Sequence, residues 1–138
     1  MNNLTFFTDG AYSSAREQGG IGLVILLNDK KIGEYSHIYK RTTNNQMELS
    51  AVIIALRLIK KEYDSITIYS DSMYVIGCTT KGWKRKKNVK LWEEFDKQIE
   101  RVSKLCPSIK FEHVKGHADN KWNNYADKLA VKASQQFG

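Results

Sequence analysis

The sequence predicts an α/β protein: a five-stranded mixed sheet, three strands antiparallel and two parallel, with helices on both faces. Three observations carry this expectation. Residues 4–8, 20–28 and 31–40 follow one another as strand signals with no helical period between them, which implies an antiparallel meander. From residue 45 the apolar period becomes helical, and helical segments then alternate with strand signals at 65–70 and 108–114. Right-handed crossovers through those helices place the fourth and fifth strands parallel to the first.

The elements are justified in order. Residues 4–8 form a short apolar run that ends in Asp9-Gly10, locally the mark of a strand entering a tight turn. The next strand signal, "GIGLVILLN", begins only at Gly20, so the first strand is expected to continue past Asp9. "NDKK" is a hairpin turn signal between that second strand and "KIGEYSHIYK". Leu49, Val52, Ile53, Leu56 and Ile59 recur at helical spacing and predict a helix over 45–61, with Asn45 near its N-cap. After "SITIYS", Asp71-Ser72 is suited to cap a short helix over 72–79. The basic connection "KGWKRKKNVK" leads into a helix over 91–105, and "SIKFEHV" alternates as the fifth strand. A last helix over 120–135 gathers Trp122, Tyr125, Ala126, Leu129, Ala130 and Ala133 on one face.

Composition bounds the function. A chain of 138 residues with 41% apolar and 27% charged residues reads as one globular domain spanning 1–138. No apolar run approaches the roughly 18 residues that span a bilayer, and the N-terminal "MNNLTFF" lacks a basic region before a hydrophobic segment, so no signal peptide is expected. Cys78 and Cys106 match no metal or redox spacing and read as reduced thiols. These features predict a cytoplasmic monomer with no membrane association and no obligate protein partner. The 22 Lys plus Arg against 15 Asp plus Glu leave a net charge of +7, which favours a polyanionic partner.

Against that surplus, four acids stand in awkward places. Asp9 and Asp71 sit at the carboxyl ends of strands expected to be parallel, where α/β sheets place their functional crevice. Glu48 borders the buried stripe of its helix, and Asp127 borders the apolar face of the last one. Taken singly, each has an ordinary reading: a turn residue, a helix cap, or an outward-reaching surface acid. Taken together, neighbouring first and fourth strands would bring Asp9 and Asp71 close, with Glu48 and Asp127 alongside. Carboxylates so placed repel one another unless a cation joins them, and an all-oxygen set suits Mg²⁺ or Mn²⁺. On a basic protein such a cluster makes sense if metal ions bridge it to phosphate.

The segments "TDGAY", "TTNNQMELSAVIIAL", "IYSDSMYVI" and "HVKGHADNKWNNYADKLA" together resemble the type 1 ribonuclease H family, in the same order and over nearly the whole chain. The resemblance implies a ribonuclease H-like fold and an endoribonuclease that hydrolyses the RNA strand of RNA–DNA hybrids. Its metal ligands would be Asp9, Glu48, Asp71 and Asp127, holding two Mg²⁺ ions about 4 Å apart, with Mn²⁺ as a substitute. Products would carry 5′-phosphate and 3′-hydroxyl ends. His117 takes the place of the family's mobile-loop histidine, assisting proton transfer or product departure. Asn44 and Asn45 would read 2′-hydroxyls in the minor groove of the hybrid. Arg41, Thr43 and Asn88 resemble the pocket that grips a DNA-strand phosphate. Gly10 would leave room for a sugar–phosphate backbone, with Ser13 a further sugar contact. His37 and His113 read as structural.

The chain departs from the family pattern in three places. The loop "AYSSAREQGG" replaces a glycine- and proline-rich version. "GCTTKGWKRKKNVKLW" is too short for the extra helix and basic protrusion of many members. Trp83 stands for a tryptophan either of that missing helix or of the loop after it. Lys84, Arg85, Lys86, Lys87 and Lys90 remain as a basic patch for phosphate. Asn124 occupies a position where cellular members often carry Glu. Two alternatives accompany the enzyme reading: a weakly active or non-catalytic hybrid-binding module, and the ribonuclease domain of a reverse transcriptase.

Overall fold

In the computed structural model, which describes residues 1–114 and 120–136, the first strand does not turn at Asp9-Gly10. β1 (Asn3–Ser13) runs straight through the pair and is followed by β2 (Gln18–Leu27) and β3 (Lys30–Lys40). Asp9 stands opposite Gly22 in the β1–β2 ladder, so it is a mid-strand residue. Asn28 and Asp29, with φ of 49° and 69°, close the β2–β3 hairpin in the left-handed conformation that Asn and Asp tolerate.

The chain continues as α1 (Asn44–Arg57), β4 (Ser65–Ser70), α2 (Met73–Thr80), α3 (Val89–Ser103), β5 (Ile109–His113) and α4 (Lys121–Gln135). The sheet order is β3-β2-β1-β4-β5. β1 pairs antiparallel with β2 and parallel with β4, and β4 pairs parallel with β5. The mixed sheet is therefore the expected one.

Side-chain alternation sends the two faces of β1 to different layers. Leu4 and Phe6 join α1, Val75 and Cys78 of α2, and Trp92 and Phe95 of α3 in the main core. Phe7 faces the other way, with Val24, Leu26 and Ala126 of α4. Helices thus cover both faces, three on one and α4 alone on the other. The glycines of "GIG" explain how closely α4 lies. A Cβ on Gly20 would fall 2.4 Å from the Ala130 carbonyl oxygen, and one on Gly22 would fall 2.3 Å from that of Ala126.

Helix ends differ from the sequence expectation in physically simple ways. Thr43, not Asn45, caps α1: its hydroxyl accepts from the Gln46 N–H at 3.1 Å. The apolar period runs on to Ile59, but α1 ends at Arg57 and tightens so that the Ile59 N–H bonds the Leu56 carbonyl at 3.1 Å. Arg101 of α3 then donates to the Leu56 and Ile59 carbonyls, each at 2.8 Å, satisfying groups a longer helix would have paired. Ser72, not Asp71, caps α2 by accepting from the Val75 N–H at 3.2 Å. Cys78 and Cys106 are buried and unpaired with each other. His37 stands exposed between the rings of Tyr35 and Tyr39 on β3, and exposed His113 ends β5. Among the described residues no helix is long and apolar enough to cross a membrane.

The α4 contact sets a measurable expectation. Gly22→Ala places a methyl against helix backbone that has no rotamer with which to yield, so destabilisation of about 2–3 kcal/mol is expected in urea unfolding. Gly33→Ala, whose nearest neighbour is a flexible Ile25 methyl at 3.6 Å, is the tolerated control.

Candidate active site

The last parallel pair between β1 and β4 is Thr8 with Ser70. Asp9 and Asp71 come immediately after that pair, so both acids stand at the same level just beyond the β1–β4 ladder, while Asp9 still pairs with Gly22 of β2. Asp9 lies on the face of β1 that carries Phe7 and looks toward α4. Glu48 arrives from the opposite layer, on the first turns of α1. The two meet because Gly10 lies between them: a Cβ there would be 2.3 Å from the Met47 carbonyl carbon and 2.4 Å from the Glu48 nitrogen. The helix backbone is pressed against the strand. The room expected at Gly10 for a sugar–phosphate backbone is taken by α1 itself, because the helix must come that close for Glu48 to reach the sheet's edge. The Gly10 N–H donates to Asp9 Oδ1 at 2.9 Å and also to Glu48 Oε1.

One carboxylate oxygen from each of Asp9, Glu48 and Asp71 lies within 4.8 Å of the others. Asp9 and Glu48 are each 5% exposed, whereas Asp71 is half-buried. Glu48 therefore does not reach outward, as a glutamate at the edge of an apolar stripe ordinarily would. Asp127 is exposed on α4 and lines the same cleft, an opening of about 420 Å³ that also takes in Asn44, Asn45, Ser72, Met73 and Tyr74. A larger hollow of about 530 Å³ lies among Asp64, Lys104 and Pro107, near the amino ends of β4 and β5. It is at the wrong end of the parallel strands for a functional crevice.

Burial drives the Asp9 carboxyl far above the usual carboxylate range, and contact with Glu48, then Asp127 and the charge of Asp71, push it the same way. Glu48 is raised as well, again chiefly by burial, with Asp71 adding to the effect and its bonds to Asp9 and Gly10 opposing it. Such a pair retains a proton until a cation replaces it. The oxygen-only donor set, the short separations and the burial together fit a hard divalent cation.

The other expected residues fall into two groups. Thr43 and Asn88, 45 positions apart in the chain, each bond Gln46 of α1, Thr43 through the backbone N–H and Asn88 through the side chain. The Gln46 side-chain amide donates to Asn88 Oδ1 at 3.1 Å, and the Asn88 amide donates to the Tyr74 hydroxyl at 3.1 Å. Trp92 Nε1 donates to that same hydroxyl at 2.9 Å. Asn88 itself is left-handed, with φ of 58°, and caps α3 without a side-chain bond to it. Arg41, at φ 52°, lines a separate hollow with Tyr12, Arg16, Glu17 and Lys40. Ser13 ends β1 and accepts from the Arg16 N–H at 3.4 Å.

In the 81–88 connection no helix forms. Trp83 lies against Gly77, where a Cβ would meet its ring at 2.1 Å, and leaves 46% of itself exposed. Lys84, Lys86 and Lys87 are exposed, as is Lys90 in α3. Arg85 departs from the patch, because Asp96 binds its Nη1 at 2.8 and 3.0 Å. His117 lies outside the described residues. Sequence reasoning missed Gln46, Tyr74 and Trp92; their link joins three helices, and no local pattern announces it.

The buried acids make a stability prediction. Their folded-state pKa values lie above the unfolded ones, so the native state binds more protons above about pH 4, and metal-free stability falls as pH rises from there. Asp9→Asn mimics the protonated acid. Without metal it should raise Tm by about 3–5 °C at pH 7.5, for roughly 1 kcal/mol relieved, with little gain at pH 3.5. A lower Tm at pH 7.5 would contradict uncompensated burial.

Comparison with known proteins agrees with this geometry. The model of the RNase H family matches residues 1–135. A ribonuclease H of Trichodesmium erythraeum is 41% identical, the match covering 97% of this chain and 90% of that protein. The N-terminal ribonuclease H domain of a Mycobacterium tuberculosis protein, solved as a fusion with maltose-binding protein, superposes with a TM-score of 0.77 at 25% identity, covering 97% of this chain and 94% of that one. Ribonuclease H1 of the halophilic archaeon Halobacterium salinarum superposes with a TM-score of 0.75 at 25% identity, covering 95% and 96%. With a family match along almost its whole length and this sheet order, the chain belongs to the ribonuclease H family.

Proposed function

We propose that the protein is a metal-dependent endoribonuclease that hydrolyses the RNA strand of RNA–DNA hybrids. The observation that carries the reading is the convergence of Asp9, Glu48 and Asp71 within 4.8 Å on a chain of net charge +7. A basic surface brings the polyanion in, while an acidic centre needs cations that can bridge it to phosphate.

Asp9, Glu48 and Asp71 would hold Mg²⁺, or Mn²⁺ in its place, with Asp127 completing the set from α4. Two bound ions would supply a clamp on the scissile phosphate, charge to activate the attacking water and charge to stabilise the departing 3′ oxygen, leaving a 5′-phosphate and a 3′-hydroxyl. The Gly10 N–H fixes how Asp9 and Glu48 face the cleft. Asn44 and Asn45, on the first turn of α1 in that cleft, are suited to bond ribose hydroxyls across a wide, shallow minor groove. Thr43 and Asn88 offer polar groups to a DNA-strand phosphate, with Arg41 near α1 and Ser13 at the end of β1 as outlying contacts. Lys84, Lys86 and Lys87 supply charge along the backbone, and the exposed Trp83 ring a surface for a sugar. His117 would accept or deliver a proton during turnover. The protein would act in the cytoplasm as a monomer.

Matched RNA–DNA, RNA–RNA and DNA–DNA duplexes, each with Mg²⁺ and with Mn²⁺, test the assignment directly. Cleavage of the RNA strand of the hybrid alone is expected, abolished by EDTA; an inert protein with both metals would overturn it. Asp71→Asn should lower kcat roughly 10³-fold, the several kcal/mol that metal charge contributes, while hybrid binding persists. His117→Ala should cost much less than Asp9→Asn. Equal losses would show that the histidine's role is misassigned.

A further inference from the structure

We infer that Arg85 is a positioning residue, which latches the 81–88 connection onto α3 and thereby holds the Asn88 carboxamide against the first turn of α1. The inference rests on the proposed function, in which Asn88 grips a phosphate of the DNA strand. Counted by charge, Arg85 is one more cation beside Lys84, Lys86 and Lys87. Geometry separates it from them. The three lysines are exposed and make no ion pair among the described residues, whereas both oxygens of Asp96 take Arg85 Nη1, at 2.8 and 3.0 Å. The guanidinium carbon also lies 4.4 Å from the centre of the Trp92 ring and 5.5 Å from that of Phe95. Arginine, unlike lysine, can stack on an indole and bind a carboxylate with the same planar group.

Trp92 passes this restraint on. It is 2% exposed, packs edge-on against Phe95 at 5.1 Å, and donates its indole N–H to the Tyr74 hydroxyl. That oxygen also accepts from the Asn88 amide, whose Oδ1 takes the Gln46 side chain from α1. Asn88 is left-handed and has no side-chain bond to the helix it caps, so α3 alone does not fix its side chain. Among the described residues, Arg85–Asp96 is the one ion pair made by the 81–88 connection. Releasing Arg85 frees the residues that lead into Asn88, and the fraction of molecules with a formed phosphate pocket falls. Apparent affinity falls by that same fraction, while the carboxylate centre is untouched.

Steady-state cleavage of one RNA–DNA hybrid across a salt series, with thermal unfolding alongside, tests this in Arg85→Lys, Arg85→Gln, Asp96→Asn and Lys84→Ala. The first three should each raise KM about 3–10-fold, with kcat within about twofold and the log–log salt slope unchanged. Lys84→Ala should reduce that slope by about 1. The Arg85→Gln effect should vanish in an Asn88→Ala background, because the two residues act through one pocket. Asp96→Asn is the sharpest arm. It removes a negative charge from the path of a polyanion, so a direct phosphate role for Arg85 predicts tighter binding, a wild-type Arg85→Lys and a reduced slope for Arg85→Gln; that outcome overturns the inference. A lowered Tm with unchanged KM overturns it too. If the wild-type chain cleaves no hybrid, the functional reading fails and this one with it; normal cleavage with unchanged KM in the variants defeats only the latch.

Discussion

The contact between Gly10 and the backbone of Met47-Glu48 is the constraint on which the rest of the molecule turns. Asp9 and Glu48 belong to opposite layers of the fold, one facing α4 and the other carried by α1. A sheet normally keeps two such side chains apart. Removing one Cβ lets α1 press onto β1, and the Gly10 N–H then binds both carboxylates. The same device recurs at Gly20 and Gly22, where α4 lies against β2. Glycine thus brings α1 and α4, one on each face, close enough for acidic side chains on them to reach the same end of the β1–β4 ladder.

Electrostatics and packing work against each other at that point. The tight approach that gathers the acids also buries them, and burial is the largest cause of the raised protonation of both Asp9 and Glu48. A hydrophobic centre of the same volume would be more stable, so this one has the character of a functional site held at a cost in stability. Its cost is relieved by whatever positive charge enters, which couples cation binding to the stability of the strand end.

The 81–88 connection shows how a short loop is held without a helix of its own. Trp83 rests on Gly77 at one end and Arg85 is fixed to α3 near the other. Between them the lysines remain exposed. Aromatic and ion-pair contacts therefore position the loop, while the lysines are left to interact with solvent or a polyanion. A run that reads in the sequence as uniform positive charge is divided by the tertiary structure into anchor and surface.

Much of this molecule was legible in its residues. The apolar run "GIGLVILLN", alternation in "SITIYS" and "SIKFEHV", the helical period after Asn45, and three consecutive strand signals determine the mixed sheet, because burial on two faces, on one face or on one stripe leaves its own period in a chain. Acids at strand ends, set against a basic composition, mark the site. Only the tertiary structure decided the rest. The passage of the first strand beyond Asp9 is legible in the late start of the next strand signal, and β2 pairing beyond it agrees, whereas that Gly10 serves α1 rather than a ligand depends on where a helix 37 residues away packs. Gln46 and Tyr74 bond the Asn88 side chain from two helices, Trp92 bonds the same Tyr74 hydroxyl from a third, and Arg85 finds Asp96 across a loop. Local pattern encodes periodicity and burial, which are properties of a segment. The partner of a polar side chain is a property of the packed whole.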